Sequence, residues 1–203
     1  MKKKSANPQP LGANQGLRSG RSPSSNVEVQ PNNSQSAIRN PQSKRILGID
    51  PGTVITGWGV LEVNGSSLRV LGCGALRASQ KNNMSVRLTE IFNGLEQVLH
   101  VHRPEYAALE ETFAGENPKS AIAMGQGRGI ALLALGRAGV PVWELSPAEV
   151  KKAVTGNGRA GKEQVAAMVC ARLAIQALEG PADVTDALAA AIALSHRLPR
   201  GNF

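Results

Sequence analysis

Arg45-Ile46-Leu47-Gly48-Ile49-Asp50-Pro51-Gly52-Thr53 is the stretch whose reading decides the fold. Mostly apolar residues run into a carboxylate, and a Pro-Gly pair then stops the run. An apolar segment this short, bounded by turn residues, reads as a buried central strand. Asp50, its last residue, is expected at the mouth of the sheet. A buried carboxylate is costly unless it is paired or bound to a cation. The plainer alternative is an Asp that only caps the Pro51-Gly52 turn. Further carboxylates along the chain, at positions a sheet can bring beside Asp50, weigh against that alternative.

The chain has 203 residues, 41% hydrophobic and 3% aromatic, enough for one domain with an appendage. Cys73 and Cys170 form neither a CxxC pair nor a metal-spaced set, so a reducing, cytoplasmic setting is expected. No run approaches the roughly 18 apolar residues that a membrane-spanning helix needs. The net charge of +8 is unevenly spread. Residues 1–43 hold six Lys/Arg against Glu28 alone, a net +5, whereas residues 44–203 hold 17 against 14, a net +3. A polyanionic partner fits such a balance.

Residues 1–43 are rich in Ser, Asn, Gln, Pro and Gly and have almost no large apolar side chains. Too little apolar surface is available there to offset the entropy of ordering, so a disordered basic tail is expected. It has no apolar core of a secretory signal. From Lys44 the pattern becomes that of a folded domain, 44–203. Strands are predicted at 44–50, 55–63 and 67–77, the last two joined through Asn64-Gly65, a strong hairpin signal. A helix at 85–100 follows, with Val86, Ile91, Leu95, Val98 and Leu99 on one stripe. A fourth strand spans Tyr106 to Thr112, a Gly/Ala-rich helix 117–139, and a fifth strand Val140 to Leu145. Ser146-Pro147-Ala148-Glu149 is a capping box with proline at the first helical position, opening a helix to about Val154. Helices at 162–178 and 183–197 complete the chain. A meander followed by strand–helix alternation implies an α/β fold, a mixed five-stranded sheet flanked by helices.

Asp183 and Asp186 sit at i and i+3 near the start of an Ala-rich helix, one turn apart on one face. Acids there complement the helix dipole, yet this helix has scarcely any polar face, which points to a site. Glu110 and Glu111 end a strand expected to run parallel to the first, and alternation sends them to opposite faces, so one of the two can join Asp50. Asp50, one Glu, Asp183 and Asp186 make an oxygen-only set suited to Mg²⁺ or Mn²⁺; no His/Cys cluster argues for zinc. His100 and His102, at a helix end before Pro104, read as structural.

At this point a resemblance becomes specific. Ile46-Leu47-Gly48-Ile49-Asp50-Pro51-Gly52, Ala108-Leu109-Glu110-Glu111-Thr112-Phe113, Gly125-Gln126-Gly127-Arg128-Gly129 and Asp183-Val184-Thr185-Asp186-Ala187-Leu188-Ala189 together resemble the RuvC Holliday junction resolvase family. The likeness covers about 44–198 in order and spacing. It implies an RNase H-like fold, a homodimer, and metal-dependent nicking of four-way DNA junctions in recombination and repair. It also implies work alongside a RuvA–RuvB branch-migration complex. It assigns the catalytic, metal-holding acids to Asp50, Glu110, Asp183 and Asp186, choosing Glu110 over Glu111. Two Mg²⁺ ions would then act at one phosphate, leaving 5′-phosphate and 3′-hydroxyl ends.

Gly156-Asn157-Gly158-Arg159-Ala160-Gly161-Lys162 imitates nucleotide-binding motifs. A helix rather than a strand precedes it, and Glu163 stands where a P-loop needs Ser or Thr, so a turn presenting Arg159 and Lys162 to DNA phosphates is the better reading. Under the resemblance, Lys151 and Lys162 match basic residues that contact the junction. Phe113, in an expected loop of a chain with few aromatics, is a candidate base-stacking wedge, against the alternative of packing under its own loop. The helix 117–139, with small residues Gly125, Gly127, Gly129, Ala131, Ala134 and Gly136, is the expected dimer interface, Ala131 being taken as outward. Two competing classes share part of this pattern. An ATPase of the actin-like or sugar-kinase class shares the Gly48-Ile49-Asp50-Pro51-Gly52-Thr53 motif but needs two such domains. A non-catalytic junction-binding protein would have no use for four retained acids.

Overall fold

The computed structural model describes residues 43–111, 118–178 and 180–198; the tail expected at 1–43, save Ser43, and Phe113 lie outside the described residues. β1 (Lys44–Asp50), β2 (Ile55–Asn64) and β3 (Ser67–Arg77) form an antiparallel meander. α1 (Met84–His102), β4 (Tyr106–Glu110), α2 (Pro118–Arg137), β5 (Val142–Leu145), α3 (Pro147–Thr155), α4 (Lys162–Leu173) and α5 (Ala182–Arg197) follow. β4 pairs parallel with β1, and β5 parallel with β4, so the sheet order is β3-β2-β1-β4-β5. The mixed five-stranded sheet and the element order agree with the sequence reading.

Alternation along β1 divides the core in two. Ile46 joins Ala108 and the residues of α3, α4 and α5 on one face, while Leu47 and Ile49 join α1 and α2 on the other. Both faces of β1 are therefore fully covered, which is why its apolar run is continuous rather than alternating.

α5 lies on the sheet at backbone distance. A Cβ built on Gly48 would stand 1.8 Å from the Ala187 carbonyl oxygen, and one on Gly57 would stand 2.0 Å from the Asp183 carbonyl oxygen. No side chain fits between strand and helix at these points, so glycine is required on the sheet side. Small residues answer on the helix side, where Ala187, Ala189, Ala190, Ala191 and Ala193 are all buried.

Local signals set the ends of several elements. Asn83 caps α1, its Oδ1 accepting from the Val86 N–H at 3.0 Å. The expected capping box opens α3, with Ser146 and Glu149 bonding reciprocally and Pro147 in the first turn. Three expectations are corrected. α4 stops at Leu173 instead of 178, because Ala174 turns left-handed (φ 53°) and Ile175 and Leu178 pack on the α5-side core. β4 ends at Glu110, leaving Glu111 outside the strand. Ala131 is fully buried, because Gly127, Ala131, Ala134 and Leu135 form the face of α2 turned to its own sheet.

Gly48→Ala forces a methyl into the Ala187 carbonyl and is expected to cost about 3 kcal/mol or more. A thermal melt reads this; a wild-type Tm would mean that α5 can ride up without loss.

Candidate active site

The strand register brings the acids together. Ile49 pairs with Leu109 in the parallel β1–β4 ladder, so Asp50 and Glu110 follow side by side at the ends of the two central strands. Glu110 has the parity of Ala108, which faces the α5-side core, and Asp50 has the parity of Ile46 and Gly48. Both carboxylates thus emerge toward α5. Glu111 has the parity of Leu109, which belongs to the opposite core. Register thus turns Glu110, and not Glu111, toward Asp50 and α5.

α5 supplies the other two acids from its first turns. Gly57, the β2 partner of Asp50, lies directly beneath the Asp183 carbonyl, which sets the start of α5 over the end of β1. Asp186 and Glu110 line a cavity of about 150 Å³ together with Lys151 of α3 and Lys162 of α4. Lys151 and Lys162, expected at the DNA, therefore stand at the acids. Arg159 is exposed on the loop between α3 and α4, outside the cavity lining, its backbone N–H donating to Asn157 Oδ1 at 3.0 Å.

Electrostatics show how closely these groups interact. Burial pushes the Asp50 carboxyl up from 3.8 to about 7, with Asp186, Asp183 and Glu110 adding repulsion and Lys162 opposing it. Burial likewise raises Glu110, with Asp186 adding and Lys151 and Lys162 lowering it. Asp186 is raised by burial first; Lys162 and Lys151 pull it down and Asp183 pushes it up. Like charges held together out of water are unfavourable in isolation, which is how a cation-accepting site is built. Among the described residues no three His, Cys, Asp or Glu side chains converge tightly enough to hold an ion as they stand. What fits a hard cation is the chemistry of the donor set, which is carboxylate oxygen throughout.

Of the two histidines, His102 has a structural place and His100 is exposed. His102 packs against Trp58 with ring centroids 5.3 Å apart on the α1 side, and its carbonyl accepts from Arg45 at 2.9 Å. One residue escaped the sequence reading. Arg128 of α2 donates to the Glu110 carbonyl oxygen at 3.1 Å and pairs with Glu144 at 2.5 Å. The signal was present, since Arg128 is the lone charge in the middle of an otherwise apolar, Gly/Ala-rich helix.

A mixed five-stranded sheet whose central parallel pair delivers carboxylates to the start of a crossing helix defines an RNase H-like nuclease. Residues 46–196 match the family model described as crossover junction endodeoxyribonuclease RuvC. The RuvC of Heliobacterium modesticaldum is 47% identical over 156 residues, 77% of this chain and 96% of that protein. The RuvC of Pelotomaculum thermopropionicum is 43% identical, over 74% of this chain and 92% of that protein. A solved structure of Thermus thermophilus RuvC in complex with a Holliday junction substrate superposes with a TM-score of 0.70 at 36% identity. It covers 74% of this chain and 92% of that one. The chain belongs to the crossover junction endodeoxyribonuclease RuvC family, the Holliday junction resolvases. Nothing in these comparisons favours the ATPase or the non-catalytic reading. Among the described residues no helix is long and apolar enough to cross a membrane.

The raised Asp50 pKa gives a stability prediction with a definite sign. The folded state holds this proton more tightly than the unfolded chain, so ionising Asp50 costs stability as pH rises from about 4 through about 7. In the presence of chelator, Asp50→Asn should melt higher than wild type at about pH 8, and the two should converge near pH 4. Parallel melting curves at both pH values would show that Asp50 is well solvated.

Proposed function

We propose that this chain resolves four-way DNA junctions by hydrolysing one phosphodiester per subunit, with Asp50, Glu110, Asp183 and Asp186 holding divalent cations. The observation that supports it is the gathering of half-buried, mutually repelling carboxylates beside one cavity rimmed by Lys151 and Lys162. When bound, Mg²⁺ or Mn²⁺ supplies Lewis-acid polarisation of the phosphate and a more acidic attacking water. The chain's own residues do the rest. The four carboxylates offer oxygen ligands from rigid strand ends and a helix start, and their crowding resists the approach of a bare phosphate. Lys151 and Lys162 offset that repulsion and fix the phosphate in register. Cleavage in this sense leaves 5′-phosphate and 3′-hydroxyl ends. Arg159 and Phe113 are proposed as further contacts to the junction, the first to phosphate and the second to a base. The basic residues 1–43, outside the nuclease domain 44–203, are proposed to add salt-sensitive affinity.

A junction has two-fold symmetry and needs two nicks, so a C2 pair of subunits is the proposed working form. The outer stripe of α2 supports it. Ile122 and Leu133 are 63% and 52% exposed, and Gly125, Gly129 and Gly136 beside them have open space where a Cβ would stand. The proposed setting is cytoplasmic, beside a RuvA–RuvB complex, and Cys73 and Cys170, neither held in a disulfide, fit a reducing compartment.

Incubation with a synthetic immobile four-way junction and Mg²⁺ tests the function. Wild type should introduce paired symmetric nicks, Glu110→Gln should bind without nicking, and Glu111→Gln should keep most activity. Reversed behaviour of the two glutamates would overturn the assigned site. Leu133→Glu should give monomers in sedimentation at tens of micromolar, where wild type sediments as a dimer. Wild-type protein that is itself monomeric under those conditions would overturn the preformed pair.

A further inference from the structure

Glu110 owes its position to a strand that ends where its ladder partner runs out of donors. In the β4–β5 pair the N–H groups of Ala107 and Glu111 turn toward β5, donating to the Pro141 and Leu145 carbonyls at 2.9 and 2.7 Å. Alternate residues of a strand address opposite neighbours, so Ala108 and Glu110 address β1. With Ile49 opposite Leu109, the Ile49 amide serves the Ala108 carbonyl and the Ile49 carbonyl serves the Glu110 amide. The next donor in that series, the one for the Glu110 carbonyl, falls to residue 51. Residue 51 is proline and has no N–H. The ladder therefore fails at the peptide that carries Glu110 into the site.

Arg128 stands in that gap. Its Nη1 donates to the Glu110 carbonyl oxygen at 3.1 Å, and its Nη2 pairs with Glu144 on the neighbouring strand β5 at 2.5 Å. The Arg128 side chain is only 18% exposed, whereas Glu144 is 47% exposed, so the guanidinium reaches from the interior to a partner at the surface. Glu144 lies opposite Leu109 in the β4–β5 register, beside the peptide being held. The planar guanidinium can serve both acceptors at once, which a lysine ammonium cannot do in the same plane. Gly127, one residue before, packs against the Gly52 backbone, in the turn that follows Asp50. One stretch of α2 thus braces the exits of both central strands.

We infer that Arg128 is a positioning residue for the reaction, its guanidinium replacing the backbone donor that Pro51 lacks and so fixing the direction of the Glu110 carboxylate. The inference rests on the proposed role of Glu110 as a site acid.

Steady-state nicking of a four-way junction by the full chain tests it. Arg128→Ala should lower kcat roughly ten- to a hundredfold, while junction affinity measured without divalent cation stays at the wild-type value. Arg128→Lys should fall between. The decisive arm restores the missing donor: in the Arg128→Ala background, Pro51→Ala supplies an N–H at position 51 and should recover part of kcat. If Arg128→Ala does not fold, the same rescue is read in Arg128→Lys. A wild-type kcat for Arg128→Ala, a loss lying wholly in junction affinity, or no recovery on adding Pro51→Ala would each overturn the inference. Failure of the functional reading looks different: wild type itself would leave the junction intact, or Glu110→Gln would nick normally.

Discussion

The contact between the backbone of α5 and the backbones of β1 and β2 is the constraint on which the structure depends. Gly48 and Gly57 clear the sheet surface so that the Ala187 and Asp183 carbonyls rest where a methyl group would otherwise stand. Three consequences follow from that single approach. α5 must be alanine-rich along its buried length, because larger side chains would lift it from the sheet. Its first turn is carried over the end of β1, so Asp183 and Asp186 stand near enough to Asp50 to repel it. And the acids so gathered are withdrawn from water, which is why burial is the first cause of the raised pKa of Asp50, Glu110 and Asp186.

The proposed site is thus a place where stability is given up. Asp50 and Glu110 at the ends of the central parallel pair and Asp183 and Asp186 on α5 repel one another, and two lysines from α3 and α4 soften the repulsion without cancelling it. Those lysines come from elements later in sequence than β4, placed by the capping box of α3 and by the loop that follows it. Such local conflict with global stability is what a functional site in an otherwise consistent fold looks like.

α2 has two faces with different tasks. The inner face, Gly127, Ala131, Ala134 and Leu135, packs on the sheet and braces the exits of β1 and β4. The outer face presents Ile122 and Leu133 among glycines. Composition alone showed that the helix was built for close approach; it did not show that the approach on one side is to the helix's own sheet.

The sequence by itself determined the element order, the central strand, the hairpin at Asn64-Gly65 and the capping box at Ser146. Each of these is written in local periodicity, turn chemistry or a motif within a few residues. Strand alternation alone could not choose between Glu110 and Glu111, because that choice depends on which face of β4 meets α5, a fact held in the register with β1. The length of α4, the inward turn of Ala131 and the partner of Arg128 were likewise closed to the sequence. The left-handed cap at Ala174 carries no glycine to announce it, and the small residues of α2 read alike on both faces. The guanidinium of Arg128 answers a missing amide at Pro51 that lies far away along the chain and adjacent only across the sheet. Long-range pairing, which no local pattern encodes, decided all of these.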